Sequence, residues 1–328
     1  MNFDLKKWAD EVLNKATSTC FPLITYPGLP LINKSIVEMV TSGDVQFQCI
    51  DALAKRYPQM PAVPMSMDLS LEAEAFGSKV IFSKNEIPTI KDRILHSHED
   101  IAKLEIPEPT TPRLKEFIKA AQLANDANYG KPVFTGCIGP YSLAGRLLDI
   151  TEIMTAILMY PDEVHQLLQK TTSFIINFLK ELVKTGVNGV VMAEPAAGLL
   201  DPYFCNEFSS KYIKEIVDEV QSDEFIIILH NCGHTETLIE SMVGTGAKAF
   251  HFGNAVDMTE ILPQIPKDRI AMGNLDPANL IKTGTPDQIK NEAKQLREKT
   301  KQFPNFLLSS GCDVPPGTPL ENIDALFD

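Results

Sequence analysis

No run in this chain approaches the roughly 18 consecutive apolar residues of a membrane-crossing helix, so a spanning segment is not expected. The opening Met1–Trp8 carries Asp4, Lys6 and Lys7 where a secretory leader would have its apolar stretch. Positive charge is also short: 30 Lys and Arg stand against 43 Asp and Glu, a net charge of −13, which makes nucleic acid and anionic membrane surfaces poor partners. That acidic balance suits a cytoplasmic protein. Six cysteines in 328 residues are too few for a disulfide framework and point to a reduced compartment. No G-x-G-x-x-G follows the first strand-like run and no G-x-x-x-x-G-K-[ST] occurs, so the phosphate cradles of dinucleotide and P-loop proteins are missing. Low-complexity tracts and short internal repeats are absent too.

What remains is ordinary globular composition, 44% hydrophobic and 22% charged, enough for a large core in one domain over 1–328. After a polar N-terminal helix, Cys20–Gly28 reads as a first strand closed by Pro27 and Gly28, and Ala62–Met67 as a second that ends on Asp68. A short helix at Leu71–Phe76 follows, then an extended excursion at Lys79–Ser83 and a long Pro- and charge-rich loop over Ile87–Pro112 with at most one helical turn. Beyond Pro112 helices and strands alternate regularly. Six further apolar runs, at Pro132–Gly139, Gly189–Ala193, Glu224–Leu229, Ala249–Gly253, Arg269–Gly273 and Asn305–Ser310, bring the expected strands to eight. The helix expected at Asp162–Thr185 opens on acids suited to the positive end of its dipole and stops at Gly186. Eight β-strands alternating with helices in about 300 residues predict an α/β fold, a single (β/α)8 TIM-type barrel with an N-terminal helical extension. A doubly wound open sheet is the alternative.

In such barrels chemistry sits where strands end. The strand ends here carry Tyr26, Asp68, Tyr141, Glu194, His230 with Cys232, His251 with Asn254, Asn274 with Asp276, and Cys312 with Asp313. His230, Cys232 and Cys312 leave two strand ends of one sheet; one imidazole and two thiolates are a three-ligand set for Zn2+ with a fourth position open. The plainer reading is two unrelated thiols and a chance H-x-C. Plainer readings exist for the others as well: Asp68 as a helix cap, Asp276–Pro277 as the start of a turn, Tyr141 as core. His96, His98 and His165 read as surface residues.

Gly273-Asn274-Leu275-Asp276-Pro277, the run Gly139-Pro140-Tyr141-Ser142-Leu143-Ala144-Gly145-Arg146, and Asp313-Val314-Pro315-Pro316 resemble the uroporphyrinogen decarboxylase superfamily over nearly the whole chain. True decarboxylases of that group carry an Arg-Gln-Ala-Gly-Arg stretch after the first strand to clamp the carboxylates of the tetrapyrrole. Here Tyr26-Pro27-Gly28-Leu29-Pro30 stands in that place, without arginine. The other branch, the corrinoid-dependent methyltransferases of the methylcobalamin:coenzyme M kind, has an H-x-C zinc motif with a distant Cys. His230, Cys232 and Cys312 are similar to it residue by residue, as is Met67–Gly77 to that branch's second-strand segment. The resemblance implies zinc held by His230, Cys232 and Cys312, with Glu194, Asp276 and His251 in catalytic or orienting roles and Tyr26, Asp68, Tyr141, Asn254 and Asn274 lining the substrate site. It further implies methyl transfer between a corrinoid (methylcobalamin) and a thiol such as coenzyme M, or from a methyl donor to the corrinoid. The corrinoid would arrive on a partner protein or free, since no corrinoid-binding D-x-H-x-x-G pattern occurs in the chain. A decarboxylase without metal and a barrel with a purely structural zinc are the competing readings.

Overall fold

The computed structural model describes residues 3–15 and 19–327. Its main sheet contains seven parallel strands side by side: β1 (Val63–Pro64), β4 (Val133–Ile138), β5 (Gly189–Ala193), β6 (Ile226–Asn231), β7 (Ala249–Phe252), β8 (Ile270–Leu275) and β9 (Phe306–Ser310). A separate antiparallel hairpin pairs β2 (Val80–Ile81) with β3 (Thr89–Ile90). The expected first strand, Cys20–Gly28, is corrected. Its beginning lies parallel to β9, with a bridge from Cys20 to Leu308, Phe21 N–H donating to Leu308 O at 2.8 Å, and Leu23 N–H reaching Ser310 Oγ at 3.0 Å. Pro22 brings no ladder donor, and Tyr26–Gly28 turns into a 3-10 helix with Pro27 inside it, so this stave of the barrel never becomes a regular strand. The second strand is likewise shortened from Ala62–Met67 to Val63–Pro64.

Side-chain alternation separates two layers. Val191 and Ala193, Ile226 and Ile228, Ala249, Ile270 and Met272, and Leu307 point into the barrel, where they meet Phe21, Leu23 and Phe134. Their sequence neighbours Val190, Met192, Ile227, Leu229, Phe250 and Ala271 pack outward under the surrounding helices. The result is the expected (β/α)8 TIM-type barrel. Its lower end is closed by helix Leu5–Lys15, whose Leu5, Trp8 and Val12 fall on one face at helical spacing and join the inner layer. The Trp8 ring lies 5.3 Å from that of Phe134, and its indole N–H donates to Pro61 O at 2.8 Å.

Outside the barrel the long helix runs Pro161–Lys184, with Pro at its start and Asp162 and Glu163 in the first turn; Gly186, at φ +82°, supplies the left-handed residue that stops it. The segment expected to be a loop over Ile87–Pro112 contains β3 and a 3-10 helix, His98–Lys103, capped reciprocally by Ser97 and Asp100. It is tied down where Ile94 and Leu95 N–H both donate to Leu147 O at 3.0 Å. His165 is half-buried rather than on the surface, its Nδ1 2.8 Å from Tyr212 Oη and its ring stacked on Phe208. Among the described residues no helix is long and apolar enough to cross a membrane, and all six cysteines are free thiols.

Candidate metal centre

The inward face of β6 runs Ile226, Ile228, His230, so the alternation that builds the barrel core also delivers an imidazole to its upper layer. Cys232 follows just beyond the strand and Cys312 just beyond β9. One donor atom from each of His230, Cys232 and Cys312 lies within 4.8 Å of the other two, and among the described residues no other group of three His, Cys, Asp or Glu side chains converges in this way. Cys312 Sγ is 3.6 Å from His230 Nε2. His230 is buried while both cysteines are only partly so, which leaves the sulfurs on the accessible side. Cys232 is brought close by Gly253, where a Cβ would fall 2.5 Å from the Cys232 Cα; any other residue would push that loop away.

Behind His230 stands a hydrogen-bonded relay. Register pairs His230 with His251 across β6 and β7. Ser309 donates its hydroxyl hydrogen to Phe21 O at 2.6 Å, so its oxygen is the acceptor for His251 Nε2–H at 2.9 Å. His251 Nδ1 is therefore the unprotonated nitrogen, and at 2.8 Å it accepts from His230 Nδ1–H, which also lies 3.2 Å from His251 O. Donor counting thus leaves the lone pair of His230 on Nε2, the atom that faces the two thiols. Burial holds His251 well below its usual pKa, so it stays neutral in this role. The thiols share a proton: the hydrogen bond from Cys312 draws Cys232 well below the ordinary thiol range, while Cys312 is pushed well above it. One imidazole lone pair and one ready thiolate, with a second thiol beside them, form a donor set that fits Zn2+.

The remaining strand-end residues are placed around this centre without joining it. Glu194 at the end of β5 is buried and works as a cap in trans: its carboxylate accepts from Tyr141 N–H at 3.0 Å and from Ser142 N–H at the start of helix Pro140–Leu148. A Cβ on Gly139 would meet that carboxylate at 2.4 Å, so glycine there makes room for Glu194. Burial pushes the Glu194 carboxyl up to about 7 against hydrogen bonds from Ser142 and Tyr141 that favour the charged form. Its backbone N–H donates to His230 O at 2.8 Å and its O accepts from Asn231 Nδ2 at 2.7 Å, so it fixes the β6 end from the side. Asn274 spends both side-chain hydrogens on Gly253 O and Val256 O. Asp276 caps helix Pro277–Lys282 through Ala278 and Asn279 N–H and takes Asn254 Nδ2 at 3.2 Å, so the turn-initiating reading of Asp276–Pro277 describes its contacts. Asp68 is paired with Arg113 and Ser70. Tyr26 and Tyr141 are buried, each with a hydroxyl that finds no hydrogen-bond partner among the described residues. His234 is highly exposed. His251 is legible as a strand-end histidine, whereas its partner Ser309 carries no local motif; the signal is shared inward parity, since His230, His251 and Ser309 continue the Ile228, Ala249 and Leu307 faces.

Fold and site together define a βα barrel with a nitrogen and sulfur donor cluster at its mouth. The chain belongs to the uroporphyrinogen decarboxylase (URO-D) family, which it matches over residues 30–328. Its relatives in that family include enzymes of two kinds. The methylcobamide:CoM methyltransferase MtbA of Methanosarcina mazei is 26% identical over 275 residues, 81% of this chain and 78% of the relative. The uroporphyrinogen decarboxylase of Coxiella burnetii is 27% identical over 289 residues, 84% of this chain and 77% of the relative. Among solved structures, a methyltransferase from Methanosarcina mazei superposes with a TM-score of 0.85 at 20% identity, covering 99% of this chain and 97% of that one. A B12-independent methionine synthase from Shewanella superposes at 0.63 and 12% identity over 96% of both chains, which extends the fold likeness further.

Proposed function

We propose that the protein is a zinc-dependent methyltransferase that moves a methyl group between a corrinoid carried by a partner protein and a small thiol of the coenzyme M kind, or from a methyl donor onto that corrinoid. The observation that carries this reading is the convergence of His230, Cys232 and Cys312 with the Nε2 lone pair of His230 already turned toward the sulfurs. A bound Zn2+ would supply an open coordination position and Lewis acidity that keep a substrate thiol deprotonated near neutral pH. The chain's own residues do the rest. His230 and Cys232 offer unprotonated donors, Cys312 gives up its proton on ligation, and His251 and Ser309 hold the His230 ring at one angle. Glu194, Asn274 and Asp276 stiffen the loops that present the thiols. Two zinc-independent features agree: Tyr26–Pro30 brings no arginine to clamp a polycarboxylate, and MtbA, a relative over four-fifths of this chain, is named for methyl transfer to CoM.

The test is spectroscopic. Zinc-loaded protein mixed with free methylcobalamin and a panel of small thiols is expected to discharge the methyl-corrinoid absorbance slowly, with the methylated thiol as product, and uroporphyrinogen is expected to be neither decarboxylated nor tightly held. Coproporphyrinogen formed at a useful rate reverses the reading in favour of the decarboxylases, and no exchange with any thiol, methyl donor or methylated corrinoid protein leaves a barrel whose zinc is structural. A second expectation concerns the relay. His251→Phe keeps the bulk but removes the acceptor for His230 Nδ1–H, and zinc affinity in competition with a chromophoric chelator is expected to fall about 10- to 100-fold. Unchanged affinity would make the relay packing alone.

A further inference from the structure

On the mouth side of the barrel, between helix Pro140–Leu148, the loop after β5 and the β2–β3 hairpin, lies a cavity of about 1140 Å³. Its lining does not include His230, Cys232 or Cys312. It shares a wall with them: Ser142 and Ala196 line the cavity, Ser142 N–H donates to the Glu194 carboxylate, and Glu194 N–H holds His230 O. In a chain of net charge −13 this wall is basic, with Lys79, Lys91, Arg93 and Arg146 against Asp92 and Asp149. Two of those charges are already engaged. Arg93 pairs with Glu152 at 3.0 Å, and Asp149 accepts from Thr151 and Glu152 N–H as the cap of helix Ile150–Met159. Lys79, Lys91 and Arg146 make no side-chain hydrogen bond or ion pair among the described residues, although Arg146 is only partly exposed.

Their placement is built, not incidental. Lys91 N–H donates to Lys79 O at 2.8 Å, so the open end of the β2–β3 hairpin sets the two ammonium groups on neighbouring backbone positions. The double hydrogen bond from Ile94 and Leu95 to Leu147 O docks the same segment beside Arg146. The half-buried Arg146 guanidinium has the carboxyl groups of Glu72 and Asp68 within electrostatic reach but is hydrogen-bonded to neither, so its planar donors stay free to match two oxygens of one acid group. We propose that this cavity is an anion-binding subsite for an organic ligand of the sulfonate, phosphate or carboxylate class, anchored on Arg146 and rimmed by Lys79 and Lys91. At about 1140 Å³ the volume is slightly above the roughly 300–1,000 Å³ of pockets for whole organic molecules and far beyond an inorganic ion.

Calorimetric titration of the full chain with ethanesulfonate, glycerol phosphate and succinate, and with propanol as a neutral control, distinguishes the acid classes. At least one anion is expected to bind saturably and one to one, to weaken as salt is raised, and to lose about tenfold or more in affinity in Arg146→Gln. Lys91→Gln, at an exposed position, serves as a second variant whose folding is not at stake and is expected to weaken binding less. Cys312→Ala with parental circular dichroism is expected to bind the anion as the parent does. Absence of saturable binding by every anion, parental affinity in folded Arg146→Gln and in Lys91→Gln, or loss of binding in Cys312→Ala, which would place the anion on the metal centre, overturns the proposal. Because the readout is binding, the subsite can fail while methyl transfer stands, and the reverse.

Discussion

Replacing Cys312 by alanine is expected to reduce bound zinc from about one per chain to a small fraction and to lower methyl transfer by about three orders of magnitude, while the barrel stays folded. The size follows from the work asked of the metal: several kcal/mol of thiolate stabilisation, each 1.36 kcal/mol a factor of about ten. Survival of the fold follows from the layering, since the inner core is made by Ile228, Met272, Leu307 and their neighbours below the thiols, and Cys312 only touches its edge. Elemental analysis of purified protein, turnover with methylcobalamin and a far-ultraviolet dichroism spectrum check the three parts. Full zinc retention in the variant would remove Cys312 from the donor set. Chelation of the parent protein should reproduce the loss of turnover, and zinc added back should restore it.

Arg113→Met is expected to cost about 3–5 kcal/mol of unfolding free energy, read as a lowered denaturant midpoint. Arg113, only 7% exposed, pairs with Asp68 and with Glu74 at 3.0 Å, and donates to Ser70 Oγ at 3.2 Å and to Val40 O at 3.1 Å. The guanidinium therefore joins the loop after β1 to helices Ile36–Thr41 and Pro112–Asp126. Methionine fills much of the space but leaves Asp68, 5% exposed, as a buried carboxylate without its counter-ion. The double variant Arg113→Met/Asp68→Asn is expected to recover most of the loss, because the penalty belongs to the orphaned charge more than to the missing pair. A single variant that loses under about 1 kcal/mol would show that the loop relaxes and lets water in.

Much of this was readable from the chain because the β4 to β9 strands are continuous apolar runs that announce burial on both faces, and the strand ends then place His230, Cys232 and Cys312 at one rim. The first stave departs from expectation because its hydrophobic residues suggest a strand, whereas Pro22 withholds a donor and Leu23 is held by the Ser310 hydroxyl instead of a ladder carbonyl. The role of Glu194 in capping a helix from the neighbouring strand depends on a contact between residues more than 50 positions apart, and no local pattern announces it. The His230, His251 and Ser309 relay needs the pairing register of β6 with β7 as well as inward parity; only the parity is written in the sequence. The basic cavity was hidden for a different reason: Lys79 and Lys91 lie in what read as an excursion and a solvated loop, and the hairpin between them brings Lys79 level with Lys91 only once β2 and β3 pair.

The helix that closes the lower end of the barrel carries the only tryptophan in the sequence, 7% exposed and set against Phe134. Indole emission from this protein is thus a single-site signal from the barrel floor, at the opposite end from the thiols. Metal loading, thiol binding and partner docking all act at the rim and should leave that emission nearly silent, whereas loss of the N-terminal helix or opening of the inner layer should shift it to the red. The molecule carries its own internal reference, one that separates events at the reacting end from melting of the scaffold in the same cuvette.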